Sequence, residues 1–139
     1  MIVLDTNVLS ALMREPQTKQ VLAWLDLQPR LSVWTSAITV MEIRHGIEML
    51  APGRTKRRLE RAMERLIVEK FGTRVAPFDT AAAEQAARLM AARQRAGRPG
   101  ELRDTMIAGI VLANHATLAT RNTRHFAELS VPVINPWGG

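Results

Sequence analysis

The sequence predicts an α/β fold, a parallel sheet of about four to five short strands flanked by helices on both faces. Three observations carry that expectation. Short apolar runs alternate along the chain with segments of helical period. The first run, Met1–Leu4, is apolar throughout, as suits a strand covered on both sides. The segment Leu102–Asn114 is apolar nearly all round, as in a helix buried inside a domain.

Taken in order, Met1–Leu4 is the first strand and stops at Asp5. Val8, Leu9 and Leu12 then recur at helical spacing, and Glu15-Pro16 ends that helix. Val21, Leu22 and Leu25 form the apolar face of a second helix. Leu31–Thr35 reads as a strand and Ile38–Leu50 as a helix, followed by the break Pro52-Gly53. Arg54–Lys70 is a charged amphipathic helix. Arg74–Ala76 is a short strand, and Asp79 is placed to cap the alanine-rich helix that runs to near Gly97. The loop Arg98-Pro99-Gly100 leads into the helix Leu102–Asn114. A strand Thr117–Thr120, a polar turn Arg121–Arg124 and a last strand Val131–Ile134 complete the chain. No repeat, low-complexity tract or linker interrupts this pattern, so residues 1–139 read as a single domain. Ligands of such sheets bind beyond the carboxyl ends of the strands. That rule directs attention to Asp5 and to the residues after Thr35 and Thr120.

Composition narrows the chemistry. Hydrophobic residues make up 47% of the 139, enough for a real core. Cysteine is absent, which excludes disulfides, thiolate nucleophiles and cysteine-type zinc sites. The opening residues have neither a basic n-region nor a long apolar h-region, and Met106–Ala113 is far too short to span a bilayer. A soluble, cytoplasmic protein with no membrane partner is expected. The net charge is +6, carried mostly by arginine, which pairs bidentately with phosphate. A polyanionic partner, nucleic acid first, fits that balance as well as simple solubility does.

The carboxylates are the sharper signal. Asp5, at the end of the first strand, could by itself be a helix cap. Glu42 is harder to explain so simply. At about 100° per residue it falls, with Gly46, inside the broad apolar arc of Ile38, Val40, Ile43, Ile47, Met49 and Leu50. An inward carboxylate is expensive unless paired or bound to a metal. Asp104 lies in the first turn of the buried helix, where the helix dipole favours negative charge. Arg103, Asp104 and Thr105 are the only charged or hydroxyl-bearing residues of Leu102–Ala113. Asn122 follows the strand Thr117–Thr120. Together these residues bring three carboxylates and one amide oxygen to one sheet edge, where like charges repel unless a cation joins them. An all-oxygen set suits Mg²⁺, with Mn²⁺ possible. Such an ion can activate water and stabilise charge on a phosphoryl oxygen.

Four blocks of the sequence carry a more specific resemblance. They are Ile2-Val3-Leu4-Asp5-Thr6-Asn7-Val8-Leu9, Val40-Met41-Glu42-Ile43-Arg44-His45-Gly46, Leu102-Arg103-Asp104-Thr105-Met106-Ile107-Ala108, and Leu118–Phe126. In that order they resemble PIN-domain nucleases, and the whole chain looks like a VapC-type toxin of a type II toxin–antitoxin pair. The resemblance implies a PIN fold, Mg²⁺-dependent endoribonuclease activity on RNA, and a homodimer. It also implies inhibition by a small cognate antitoxin whose other end binds DNA. Asp5, Glu42 and Asp104 match the acidic positions and are expected to be both metal ligands and catalytic residues. Glu42 is the candidate to take a proton from the attacking water. Thr6, Asn7, Thr105 and Asn122 are expected as further ligands or supporting groups. Many members have Asp where this chain has Asn122, so one tightly held ion is expected. Arg103 and Arg121, beside the acids, are the candidates for holding RNA phosphate.

Other features point elsewhere or nowhere. The helix Arg54–Lys70 could meet RNA or a partner, or be a solvated face with Arg57–Glu60 and Arg61–Glu64 pairs. Glu42-Ile43-Arg44-His45 is a single Glu-x-x-His, where di-iron sites need two. His45, His115 and His125 lack zinc-ligand spacing. With no tyrosine and few aromatics there is no dense stacking platform for bases, and Trp137 is free to pack on the body. Two rival readings remain. A haloacid-dehalogenase-like phosphatase would need a second Asp where Asn7 stands. A non-catalytic PIN-like partner subunit would bind metal without cutting RNA.

Overall fold

Five parallel strands form the sheet of this computed structural model, which describes residues 1–14 and 16–138. Their order is β3-β2-β1-β4-β5, with β1 Ile2–Leu4, β2 Val33–Ser36, β3 Val75–Ala76, β4 Thr117–Ala119 and β5 Val133–Ile134. β1 pairs with β2 on one side (Ile2 with Val33) and with β4 on the other (Ile2 with Thr117). The chain therefore winds outward from β1 in one direction and returns on the other side through β4 and β5. The crevice between β1 and β4 is the topological switch point, where α/β sheets bind ligands. The predicted fold class is the one observed.

Alternation along β1 divides the core. Val3 faces the layer built mainly from α5 (Thr80–Arg95) and α6 (Leu102–Ala113), with Ile107, Ile110 and Phe126 fully buried around it. Leu4 faces the opposite layer of α1 (Thr6–Met13), α2 (Lys19–Asp26) and α4 (Arg54–Glu64), where Val8, Leu9 and Met63 are fully buried. The helix after β2, α3 (Ala37–Glu48), contributes Ile38 to the first layer and Ile43 and Ile47 to the second. The apolar β1 is thus covered on both faces, the environment that a run without polar alternation requires. No helix among the described residues is long and apolar enough to cross a membrane.

The differences from the sequence-based elements have local causes. Leu31 belongs to a 3₁₀ turn, Arg30–Ser32, entered from Pro29, and its side chain is exposed, so β2 starts two residues later than expected. The helix expected over Arg54–Lys70 is α-helical only to Glu64 and then widens into a π-helix, Arg65–Phe71, that buries Leu66 and Phe71. Within Arg121–Arg124 the expected turn gives way to a 3₁₀ helix, Thr123–Phe126, because Phe126 is drawn into the core. The last strand is Val133–Ile134 and does not reach back to Val131. Glu15, half of the expected stop after α1, lies outside the described residues, as does Gly139; Arg14 closes the helix. The expected Arg57–Glu60 and Arg61–Glu64 pairs are not among the ion pairs of the described residues. Exposed pairs of long side chains gain too little in water to hold one geometry. Arg54, Arg57, Arg58 and Arg61 instead line one shallow depression.

Candidate active site

Asp5 occupies the switch point. Its backbone N–H donates to the carbonyl of Ala119 at 2.9 Å, continuing the β1–β4 ladder one residue past the strand. There the chain turns into α1, and the Asp5 carboxylate is left buried above the crevice. Three groups donate to it: the Thr6 N–H at 2.8 Å to Oδ1, the Thr120 hydroxyl at 2.7 Å and the Asn7 amide at 3.2 Å to Oδ2. Asp5 is therefore also the helix cap that its position allowed, but two of its three donors come from side chains that a cap does not need. Asn7 in turn accepts from the Arg121 N–H at 3.0 Å, which ties β1 to the loop after β4.

A chain of hydroxyls leads from Asp5's neighbour to α3. Ser36 ends β2 and caps α3 by accepting from the Thr39 N–H at 3.1 Å. Thr39 and Thr6 share a hydroxyl contact of 3.1 Å, and the Thr6 hydroxyl donates to Oε1 of Glu42 at 2.8 Å. Glu42 is half-buried and its other oxygen lies 3.9 Å from Arg103. Gly46 does not open space beside it: the residue is exposed, and a Cβ there would meet nothing within 4 Å. Met49 and Leu50, placed on the apolar arc by periodicity, are also exposed, because α3 ends at Glu48 and the chain leaves the core there. Asp104 comes up from the first turn of α6, with Oδ2 3.2 Å from Nδ1 of His125.

The acids sense one another. Burial pushes the Asp5 carboxyl above the usual carboxylate range, and the charge of Asp104 adds to the rise, against the lowering by its three donors. Burial also raises Asp104, with Glu101 and Glu42 adding to it and His125 opposing. Yet among the described residues no three acidic or histidine side chains stand close enough to cage an ion by themselves. The expected convergence of three carboxylates and an amide oxygen is corrected to that extent. The residues share an edge, each held by its own hydrogen bonds. The donor set fits a hard cation nonetheless. It is all oxygen, and it contains two carboxylates whose charge is disfavoured where they stand.

The family model for the PIN domain matches residues 2–132. The chain belongs to the PIN-domain family. It is 36% identical over 137 residues to a VapC ribonuclease, Y4jK, of Sinorhizobium fredii, covering 99% of this chain and 98% of that protein. It is 37% identical to the toxin FitB of Neisseria gonorrhoeae, covering 99% of each. Among solved structures, that of FitAB bound to an IR36 DNA fragment superposes with a TM-score of 0.90 at 37% identity, over 100% of this chain and 97% of that one. The PIN domain described here is thus of the VapC toxin type.

Within this PIN domain the other sequence-predicted residues divide. Thr6 and Asn7 touch the acids directly. Asn122 contributes its backbone N–H to Thr120 at 3.1 Å, and its exposed side chain makes no hydrogen bond among the described residues. Thr105 points away from Asp5: it is buried, donates to the Glu101 carbonyl and receives Nη1 of Arg93 at 2.9 Å. A helix turns by about 100° per residue, so the neighbour of an edge-facing Asp104 faces the interior. Arg103 is engaged by Glu101 at 2.8 Å, and Arg121 lies over the Trp137 ring, 4.8 Å from its centroid. Both guanidiniums stay exposed. Three participants went unassigned in the sequence. Thr120 was legible as the residue at the end of a strand beside Asp5's. His125 and the buried Arg93, which donates to Glu128, Thr105 and the His125 carbonyl, had no such signal.

The raised Asp5 carboxyl has a measurable consequence. When the folded pKa lies above the unfolded one, the unfolded chain ionises first. Stability is then full below about pH 4 and is lost as pH rises through the folded value. Without metal, the stability of Asp5→Asn relative to the unsubstituted protein should therefore increase as pH climbs from about 3 to 7. Urea unfolding of both proteins across that range reads the Asp5 contribution together with its coupling to Asp104, since groups distant from Asp5 cancel. A difference independent of pH would mean that burial does not disfavour the Asp5 charge.

Proposed function

We propose that this chain is a Mg²⁺-dependent endoribonuclease, the toxin of a type II toxin–antitoxin pair, held inactive by a small cognate antitoxin. The observation that carries the reading is the buried Asp5 carboxylate at the switch point of the sheet, pushed up by burial and by the charge of Asp104, with Glu42 tied to its neighbour Thr6 at 2.8 Å. Asp5, Asp104 and Glu42 would hold the ion, with Mn²⁺ as an alternative. Bound there, it would neutralise charge on the scissile phosphate and lower the pKa of water. The protein's part follows from its contacts. Thr120, Thr6 and Asn7 keep the Asp5 oxygens directed, and His125 does the same for Asp104. Glu42, whose Oε2 accepts no hydrogen bond among the described residues and lies 3.9 Å from Arg103, is the candidate to take the proton of the attacking water. Exposed Arg103 and Arg121 supply cations for the RNA backbone. With Asn122 in place of a fourth acid, one tight ion is expected.

The relatives support the partner as well. The FitAB structure holds two components on DNA, which fits an antitoxin that binds this chain at one end and DNA at the other. A homodimer and a cytoplasmic location complete the reading.

The test is cleavage of a panel of folded RNAs by antitoxin-free protein, in Mg²⁺ and in EDTA, with Asp104→Asn purified in parallel. Cleavage that requires both Mg²⁺ and Asp104 is expected. Cleavage indifferent to both would remove the carboxylates from the chemistry. The rival non-catalytic subunit predicts Mg²⁺-dependent stabilisation with no RNA cut.

A further inference from the structure

Asp104 lines more than the carboxylate edge. It also forms part of the wall of a cavity of about 620 Å³, of the size that small-molecule sites commonly have. One wall is apolar and small in side chain: Leu89 and Ala92 of α5 and Ala96 at its C-terminal cap. Ala92 and Ala96 are exposed, so this wall is accessible.

The charges around the cavity sort into spent and free. Arg93 is committed to Glu128 at 2.6 Å, and Glu101 to Arg103 at 2.8 Å. Asp104 has His125. Arg98 and Arg124, also on the wall, are exposed and form no ion pair with any described residue. What the cavity offers is an apolar wall, two guanidiniums with no carboxylate in ion-pair contact among the described residues, and a position beside a candidate catalytic acid. A nucleotide presents the complement: a planar base with an apolar face, and a phosphate that arginine binds bidentately.

We propose that this cavity is a nucleotide subsite, in which one base of the RNA lies on the Leu89–Ala92–Ala96 wall and its phosphate meets Arg98 and Arg124. The subsite rests on the ribonuclease reading and extends it. It gives the enzyme a contact with a base next to the cut, in a chain that has no aromatic platform for bases.

The test reads binding and needs no turnover. Metal-free protein in EDTA is titrated with the nucleoside 5′-monophosphates of A, C, G and U while backbone amide NMR signals are followed. Saturable shifts at Ala92, Ala96 and Arg98 are expected with at least one of them. Arg98→Ala should weaken that binding about tenfold. Ala92→Trp should abolish it, because the indole occupies the wall; an unchanged circular dichroism spectrum shows the fold is kept. No saturable shift with any nucleotide would overturn the proposal, as would equal binding by Ala92→Trp. Identical shifts from inorganic phosphate alone would also overturn it, leaving an anion site that ignores the base. Protection of the same amides by the antitoxin, with no response to nucleotides, would give the cavity to that partner instead. RNA cleavage by the unsubstituted protein, scored separately, reports on the ribonuclease reading alone.

Discussion

Asp5→Asn is expected to lower RNA cleavage at least about a thousandfold while leaving the metal-free fold intact and slightly more stable. The two effects share one cause. Asp5 is buried with its charge disfavoured by desolvation and by Asp104, and that arrangement is useful only to something positive placed between them. An amide keeps the size and can still accept from the Thr6 N–H, which lies 2.8 Å from Oδ1. It removes the charge, at the cost of facing the Thr120 hydroxyl and the Asn7 amide with donors. Relief of the disfavoured charge is expected to outweigh that loss, so the thermal midpoint should rise without metal. Addition of Mg²⁺ should raise the midpoint of the unsubstituted protein and not that of Asp5→Asn, because only a state that binds the ion is stabilised by it. Cleavage by Asp5→Asn at the unsubstituted rate would take Asp5 out of the mechanism. Equal Mg²⁺ shifts in both proteins would take it out of the metal site.

Gly109→Ala should be damaging and Gly46→Ala beneficial. Both glycines are helical, and alanine in an open helical position gains up to about 1 kcal/mol over glycine. At Gly46, on the exposed face of α3, a Cβ meets nothing within 4 Å, so that gain is available. At Gly109, on α6, a Cβ would stand 2.5 Å from the Ala82 carbonyl oxygen and 2.8 Å from the Ala86 Cβ. One of these contacts is backbone and cannot swing aside. α5 and α6 must separate, and a separation there loosens the core around Ile107 and Ile110. Overpacking of this kind costs about 1–3 kcal/mol beyond the helical gain. A net loss of about 2 kcal/mol, some 6 °C in midpoint, is expected. Urea unfolding of the two variants side by side decides it, and a midpoint for Gly109→Ala at or above the unsubstituted value would refute the close approach. The α5–α6 contact also carries Asp104 and the cavity beside it, so Gly109→Ala should lower activity without touching a site residue.

The layer order and most element positions could be read directly, because they depend on local rules. All-apolar Met1–Leu4 has to be a strand covered on both sides, and the capping residue Asp79 and the break at Pro52-Gly53 mark ends through backbone chemistry alone. The edge on which Asp5 and Asp104 lie followed from the strand–helix alternation, since each stands where a strand stops or a buried helix starts. Where local rules met competing long-range packing they failed: Leu31 was apolar but outside the sheet, and Phe126 pulled a polar turn into a 3₁₀ helix.

Fold class, sheet edge and acidic residues can thus be read along the chain, because periodicity and strand ends are properties of neighbouring residues. Which groups hold those acids, and what lies beside them, depends on contacts between distant segments. Thr120 reaches Asp5 across 115 positions, His125 reaches Asp104 across 21, and Arg93 draws Thr105 away from the site across 12. No local pattern encodes such partners. They meet because the switch point sets β1 against β4, and because the close packing at Gly109 sets α6 against α5.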